Sequence, residues 1–170
     1  MRILSKTEKD LLAAFAGESQ ANRKYLAYAK HAEKEGFPQI ARVFRAAAAA
    51  ETVHAHNHFR VYGGVKSLVE NIKDAINGEH YEFSEMYPEF IKDAQEEGNK
   101  QAEQTFHFAN EVEKIHHELY SKALEAAENG EDLPEKKLFV CPVCGYTVED
   151  EAPDKCPICG AKGNTFYHIE

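Results

Sequence analysis

Two short motifs in this sequence of 170 residues carry side chains that bind metal ions. Glu51 and His54 form one Glu-x-x-His motif, and Glu113 and His116 form a second. Residues three positions apart lie on the same face of an α-helix, so each motif presents a carboxylate and an imidazole together. Oxygen and imidazole ligands without thiolates favour iron or manganese, although zinc also accepts this ligand set.

Helical periodicity surrounds both motifs and places them on the apolar stripe of a helix. A short helix over Leu68 to Ile76 is predicted in the connection between the second and third long helices. The sequence predicts four long helices, from Thr7 to Glu35, from Pro38 to the Gly63-Gly64 pair, from Glu79 to Glu97 and from Asn99 to Glu128. We expect the first helix to begin with a capping box at Thr7 and Asp10, and Pro88 either to kink the third helix or to mark a new first turn.

Carboxylates interrupt the apolar stripes where a core would place leucine. A buried carboxylate is unfavourable unless it is paired or bound to a metal. Four-helix carboxylate proteins with two metals use one Glu from each of two helices and a Glu-x-x-His motif from each of the other two. Glu18 and Glu79 supply the single carboxylates, and Glu82 adds a fifth one turn later. A lone Glu-x-x-His motif is usually an exposed ion pair, but two motifs on apolar stripes favour a di-metal site.

An internal repeat supports this grouping. A shift of 62 residues superposes Glu51 on Glu113 and His54 on His116. Towards the N-terminus of each repeat, the shift that superposes matching residues changes from 62 to 61, so that Glu18 corresponds to Glu79. This slip predicts one extra residue before Gly98, accommodated as a π-bulge near Pro88.

All four cysteines lie in the last 30 residues, as two Cys-x-x-Cys-Gly motifs separated by eleven residues. Cys141 and Cys144 form the first motif, and Cys156 and Cys159 form the second. Two such turns direct four thiolates at one point and predict a tetrahedral metal site. Disulfides are the alternative, which a cytoplasmic location disfavours. The motifs fit iron and zinc equally, and only iron would carry electrons.

Composition excludes several classes of protein. The formal net charge of -9 argues against a nucleic-acid-binding protein. The longest apolar stretch, Leu11 to Gly17, is far shorter than the roughly 20 residues that cross a membrane. The first ten residues contain no apolar signal segment, which predicts a cytoplasmic protein.

Taken together, these segments resemble the rubrerythrin family. The similar segments are Ala16-Gly-Glu-Ser-Gln20, Glu51 to His54, Gly78 to Pro88, Glu113 to His116 and the two cysteine motifs. The resemblance implies a mainly α fold with two domains. These are a ferritin-like four-helix di-iron bundle over residues 1–134 and a small rubredoxin-like metal-binding domain over residues 135–170.

The resemblance also implies a function, a non-haem di-iron peroxidase that reduces hydrogen peroxide to water in defence against oxidative stress. It implies three irons per chain, with zinc as a mis-loaded metal. Electrons would come from a separate reductase that draws on NAD(P)H, or from rubredoxin, and pass through the four-cysteine iron. Members of this family form homodimers, some of which exchange helical hairpins.

Individual roles follow from the same resemblance. Glu51 and Glu113 would bridge the irons, Glu82 and His54 would exchange as ligands with redox state, and Tyr25 or Glu82 would supply protons. The implied metal ligands are Glu18, Glu51, His54, Glu79, Glu82, Glu113 and His116 in the bundle and Cys141, Cys144, Cys156 and Cys159 in the tail.

Two other classes of function use part of these features. A ferritin-like iron oxidase or iron store would use the same helices but has no need of a cysteine tail for electron delivery. A zinc-ribbon interaction module would use the tail and leave the inward glutamates and histidines unexplained.

Overall fold

The computed structural model describes residues 3–170 and confirms the mainly α fold. A π-helical segment, Glu82–Met86, joins two of the helices, and a 3-10 turn spans Gly163–Thr165. The helices are α1 (Lys6–Lys34), α2 (Pro38–Tyr62), α3 (Leu68–Tyr81), α4 (Tyr87–Glu96) and α5 (Lys100–Glu128), and the strands are β1 (Leu138–Val140), β2 (Thr147–Glu149) and β3 (Tyr167–Ile169).

The chain divides into two compact units, with the boundary between Lys66 and Ser67. The first unit holds α1 and α2, which pack against each other along their length. Small side chains form the contact, since Ala29 and Ala41 are almost fully buried. Unit 1 denotes this helix pair below, and unit 2 denotes Ser67–Glu170. The division into domains at residue 134 stays a prediction.

Helix α1 begins at a different cap from the one predicted. The capping box is formed by Ser5 and Glu8, and the expected pair of Thr7 and Asp10 lies inside the helix. The Ser5 Oγ accepts a hydrogen bond from the Glu8 amide at 3.2 Å, and the Glu8 carboxylate accepts one from the Ser5 amide at 2.7 Å. A glutamate three residues after the cap completes this reciprocal pair, and the shorter aspartate at position 10 does not reach back.

The helix predicted over residues 68–76 does not end there. Its start is confirmed, because Ser67 and Glu70 form the expected capping box. It continues through Gly78 to Tyr81 and then directly into the π-helical segment. A glycine ends a helix where the backbone turns left-handed, and in a helical conformation it only weakens the helix. A Cβ at Gly78 would meet no atom within 4 Å.

The predicted π-bulge is confirmed. The π-helical segment Glu82–Met86 lies between Glu79 and Gly98, and Pro88 lies in the first turn of α4. Proline lacks an amide hydrogen, so it is tolerated where the regular hydrogen-bond ladder is already interrupted. One extra residue in this wider turn explains why the two halves of the repeat slip out of register.

Unit 2 combines three helices with a small sheet. Helix α5 begins at the Asn99 cap, as predicted, and packs on α3 and α4. The three strands form an antiparallel sheet in the order β2-β1-β3. Within residues 3–170, no helix combines the length and apolar character needed to cross a membrane.

The continuity of α3 through Gly78 can be tested by substitution. We expect Gly78→Ala to raise the free energy of unfolding of the metal-free protein by about 0.5–1 kcal/mol, because alanine favours a helix interior. Urea denaturation measures this change. Gly98→Ala is the matched control and should destabilise the protein, since Gly98 has a φ of 69°. A loss of stability in Gly78→Ala would contradict a continuous helix.

Candidate metal centres

Unit 1 brings together three of the predicted ligands, Glu18 from α1 and Glu51 and His54 from α2. The His54 Nδ1 lies 2.9 Å from the Glu51 Oε2 and 3.9 Å from the Glu18 Oε1. One turn away, the Asn22 side chain donates hydrogen bonds to the Ala48 carbonyl at 2.7 Å and to the neighbouring threonine hydroxyl. This amide fixes the register of the two helices and therefore holds Glu18 opposite the Glu-x-x-His motif.

Burial of this group differs from the expectation of an inward-facing cluster. The His54 side chain is 53% exposed, and the Glu51 side chain is 18% exposed. A pair of helices buries only the strip of each helix that faces the other. Ligands at the margin of that strip stay open to solvent within unit 1.

Unit 2 holds the second group, Glu79 from α3 and Glu113 and His116 from α5. The His116 Nδ1 lies 2.7 Å from the Glu113 Oε2 and 3.9 Å from the Glu79 Oε1. Burial raises the pKa of Glu79 to about 7, and the charge of Glu113 adds to this effect. The hydrogen bond to Glu113 raises the pKa of His116 above its ordinary value. Burial and the charge of Glu113 thus favour the protonated form of Glu79, and a bound metal ion would take the place of that proton.

The two groups repeat the same geometry. In both, the imidazole directs Nδ1 and not Nε2 towards the carboxylates. In each group, three ligand atoms lie within 4.8 Å of one another. Two carboxylates and one imidazole nitrogen at this spacing fit one half of a di-iron site.

Glu82, the fifth predicted carboxylate, is the first residue of the π-helical segment. It lies outside the group of three ligands in unit 2, although it is close enough to Glu113 for the charge of Glu113 to affect its pKa. Burial raises the pKa of Glu82, and the charge of Glu113 raises it further. Burial also raises the pKa of Tyr87, and the charge of Glu82 adds to this effect. Glu82 thus retains its proton more readily than an exposed glutamate.

Tyr25, predicted as a proton source, packs its ring 6.3 Å from the rings of Tyr28 and Phe44. Within residues 3–170, no hydrogen bond joins its hydroxyl to Glu18. Its role in proton supply stays a prediction.

The sequence did not indicate one side chain that touches a predicted ligand. The His116 Nε2 lies 3.1 Å from the Thr147 Oγ1 in strand β2. The two residues are separated by 31 positions, and a threonine after a cysteine motif is no signal by itself. The contact is visible only once the tail is folded on α5.

The four cysteines form the second metal centre. All four are free, so the disulfide alternative is wrong. The Cys141 and Cys159 Sγ atoms lie 3.6 Å apart, as do those of Cys144 and Cys156. This spacing is longer than the roughly 2 Å of a disulfide and fits thiolates around one ion.

Backbone amides stabilise the negative charge of these thiols. Burial acts to raise the pKa of Cys156, but hydrogen bonds from the backbone of Cys159 and Ile158 lower it to about 7. Burial raises the pKa of Cys144. Bound metal removes protons from all four thiols, since the thiolate is the ligand.

Comparisons with known proteins agree with both centres. The family model described as rubrerythrin matches residues 9–124, and that of the rubredoxin-like domain of rubrerythrin matches residues 139–167. The chain is 40% identical to rubrerythrin-2 of Clostridium acetobutylicum, over 92% of each chain. It is 40% identical to nigerythrin of Nitratidesulfovibrio vulgaris, over 96% of this chain and 86% of the relative.

A solved structure supports the same relationship. Fully reduced nigerythrin, described as all ferrous, superposes with a TM-score of 0.57 at 37% identity, over 99% of this chain and 89% of that chain. The ferritin-like and rubredoxin-like assignments are therefore confirmed, with carboxylate and imidazole donors for a di-iron site and four cysteines for one further iron. The chain belongs to the rubrerythrin family of di-iron proteins, which act as peroxidases in oxidative stress.

Proposed function

We propose that this protein reduces hydrogen peroxide to water at a di-iron site, with electrons delivered through the four-cysteine iron. The observation that carries the proposal is the contact within unit 2 between the His116 imidazole and Thr147 in strand β2 of the cysteine tail. A ferritin-like iron store has no need of such a contact. A zinc-ribbon module would leave both carboxylate groups without a role.

The ligands follow from the two groups of donors. Glu51 and Glu113 would be ligands shared by the two irons, and each lies next to the histidine of its own motif. Glu18 completes one end of the site and Glu79 the other. Bound iron supplies two electrons for each peroxide, which with two protons yields two water molecules. Glu82 and His54 would be the pair of ligands that exchange with redox state, and the His54 side chain is 53% exposed, which leaves it space to change position.

Glu82 is proposed to deliver a proton to the leaving oxygen of peroxide. Its pKa is raised by burial and by the nearby Glu113, so the carboxyl group is protonated more often than in water. A general acid works best when its pKa approaches the working pH. Tyr25 is the second proposed proton source, on the opposite unit of the chain.

Electrons are proposed to come from a separate reductase that draws on NAD(P)H, or from rubredoxin, in the cytoplasm. The four cysteines would hold the iron that carries these electrons, and each peroxide reduced to water requires two of them.

A homodimer with exchanged helical hairpins is proposed as the assembly. Several aliphatic side chains of α2 are largely exposed in the chain, among them Val43 and Val61, each at 62%. Each unit carries one complete Glu-x-x-His motif and one single glutamate, which is half of the donor set. In an exchanged dimer, unit 1 of one chain completes the set of unit 2 of its partner.

Replacing Glu82 tests the proposed peroxidase mechanism. We expect Glu82→Gln to slow peroxide turnover by about 100-fold or more, because glutamine cannot donate the proton. Turnover is followed with a reductase as donor, after reconstitution with iron. Metal analysis and the visible thiolate-iron band should show an unchanged tail. Glu85→Gln, an exposed neighbour in the same π-helical segment, is the control and should turn over as the native protein does. Equal rates for both variants would remove Glu82 from the mechanism.

The raised pKa of Glu79 predicts how stability depends on pH. A carboxyl group whose pKa rises from 4.5 to about 7 on folding stabilises the protein fully below pH 4.5 and loses this contribution as pH rises through 7. The metal-free protein should therefore unfold at lower urea at pH 8 than at pH 5. Glu79→Gln should show a smaller difference, and Glu89→Gln, an exposed control, should behave as the native protein does. Identical pH dependence in native protein and Glu79→Gln would contradict the raised pKa.

Mixing two inactive variants tests the exchanged dimer. One variant carries Glu51→Ala with His54→Ala, and the other carries Glu113→Ala with His116→Ala. Refolded together with iron, half of the dimers should be mixed, and one of the two sites in each should contain every ligand. We expect roughly a quarter of native peroxidase activity from this statistical mixture. Without exchange, every site lacks the glutamate and the histidine of one motif, and the mixture stays inactive.

A further inference from the structure

Thr147 connects the two metal centres of unit 2 through hydrogen bonds. Its hydroxyl donates to the Gly145 carbonyl at 3.0 Å, and its oxygen lies 3.1 Å from the His116 Nε2. A hydroxyl has one hydrogen to donate. With that hydrogen on Gly145, the Thr147 oxygen accepts from His116, so the Nε2 atom carries the imidazole hydrogen. The Nδ1 atom faces the carboxylates, 2.7 Å from the Glu113 Oε2, and is the ring nitrogen that a metal ion would take.

The position of the Thr147 hydroxyl is set by the first cysteine motif. Gly145 directly follows Cys144, and its amide donates to the Cys141 carbonyl at 2.9 Å. The Cys141 amide in turn donates to the Tyr146 carbonyl at 2.9 Å. Gly145 has a φ of 86°, which suits only glycine without strain. The carbonyl that holds Thr147 is therefore part of the turn that places two of the thiolates.

The tail also contacts α5 on either side of this hydrogen bond. The Lys122 ammonium group lies 3.1 Å from the Glu149 carboxylate in strand β2. A Cβ at Gly145 would lie 3.7 Å from a methyl group of Val112, which is 2% exposed. These contacts place the tail where Thr147 can hold the histidine ring.

Metal binding in the tail determines whether this arrangement exists. A segment of about 30 residues with three short strands buries too little apolar surface to fold alone, so its metal supplies the folding free energy. Loss of that metal would release the Gly145 turn and with it Thr147. The imidazole of His116 would then be free to rotate and to carry its hydrogen on either nitrogen.

We propose that Thr147 is a positioning residue that couples the two metal sites. Metal bound to the four cysteines orders Thr147, which fixes His116 with its Nδ1 atom directed at Glu79 and Glu113 and raises the metal affinity of that group. Coupling between binding sites is reciprocal, so metal in the bundle also strengthens metal binding in the tail. The inference rests on the proposed role of His116 as a ligand.

Cobalt titration of the full-length protein tests this coupling. One equivalent of zinc fills the cysteine site, and the visible absorption of added Co²⁺ then reports binding to the bundle. Substitution of a group that orients a metal ligand typically weakens binding about 10- to 100-fold. We expect that loss for Thr147→Val, which keeps the shape and removes the hydroxyl, and nearly native affinity for Thr147→Ser. Thr165→Val removes an exposed hydroxyl elsewhere in the tail and should bind as the native protein does.

Two further measurements separate coupling from a general loss of structure. Retention of one zinc per chain in Thr147→Val shows that the tail is still folded. The nitrogen chemical shifts of His116 in protein with an empty bundle report which ring nitrogen carries the hydrogen. We expect Nε2 to carry a hydrogen in native protein, whether or not Nδ1 carries a second one towards Glu113, and a mixture of Nε2–H and Nδ1–H forms in Thr147→Val. Cobalt would itself fill an empty cysteine site, so the matched control is a variant with all four cysteines replaced by serine, whose bundle should bind cobalt as weakly as that of zinc-loaded Thr147→Val.

Native cobalt affinity of the bundle in Thr147→Val, or in the variant without tail cysteines, would overturn the coupling. His116→Ala separates this failure from that of the proposed ligands. If His116→Ala weakens cobalt binding and Thr147→Val does not, His116 is a ligand that needs no positioning by the tail. If neither weakens it, the ligand assignment itself is wrong.

Discussion

Repulsion between neighbouring carboxylates is the constraint on which the rest of the structure depends. Glu79 and Glu113 lie close together in a half-buried setting, which raises the pKa of Glu79 to about 7. Like charges at this distance require a proton or a cation between them. The helices must hold the carboxylates in place against this repulsion while leaving space for the ion that relieves it.

Rigid helices with small contact residues meet this requirement in unit 1. Ala29, Ala41 and Ala48 are almost completely buried, which allows the backbones of α1 and α2 to approach closely. The Asn22 side chain then fixes the register by bonding to the backbone of the facing helix. Register matters because Glu18 and the Glu-x-x-His motif lie on different helices, and a shift of one turn would separate them by more than 5 Å. The packing that sets the register of α1 and α2 therefore also sets the positions of the ligands in unit 1.

Much of the fold and most of the candidate site could be predicted because the informative patterns are local. The spacing of Glu51 and His54 fixes their common face whatever surrounds the helix, and each Cys-x-x-Cys motif forms its own turn. The shift in register between the two halves of the repeat likewise predicted the extra residue near Pro88, because it can be read directly from the positions of matching residues. Local sequence patterns gave a wrong helix end where a capping pattern and a glycine lay in the same segment. Gly78 resembled a helix end, yet the end depends on backbone conformation and not on the residue type alone.

Features that arise from distant segments could not be predicted. The contact of Thr147 with His116 forms only when the tail packs on α5. No local sequence pattern links the two residues. The exposure of His54 likewise depends on what covers the margin of the helix pair. The capping box at Ser5 was within reach of sequence reasoning, but a threonine two residues later offered a plausible alternative.

The π-helical segment makes the two halves of a duplicated protein different. A perfect duplication would place equivalent ligands around both metals. The two metals would then have the same surroundings. The extra residue at Glu82–Met86 shifts Glu79 relative to its counterpart Glu18 and brings an additional carboxylate towards one half. A single inserted residue thereby makes the donor sets of the two halves unequal, so the two metal positions would have different surroundings.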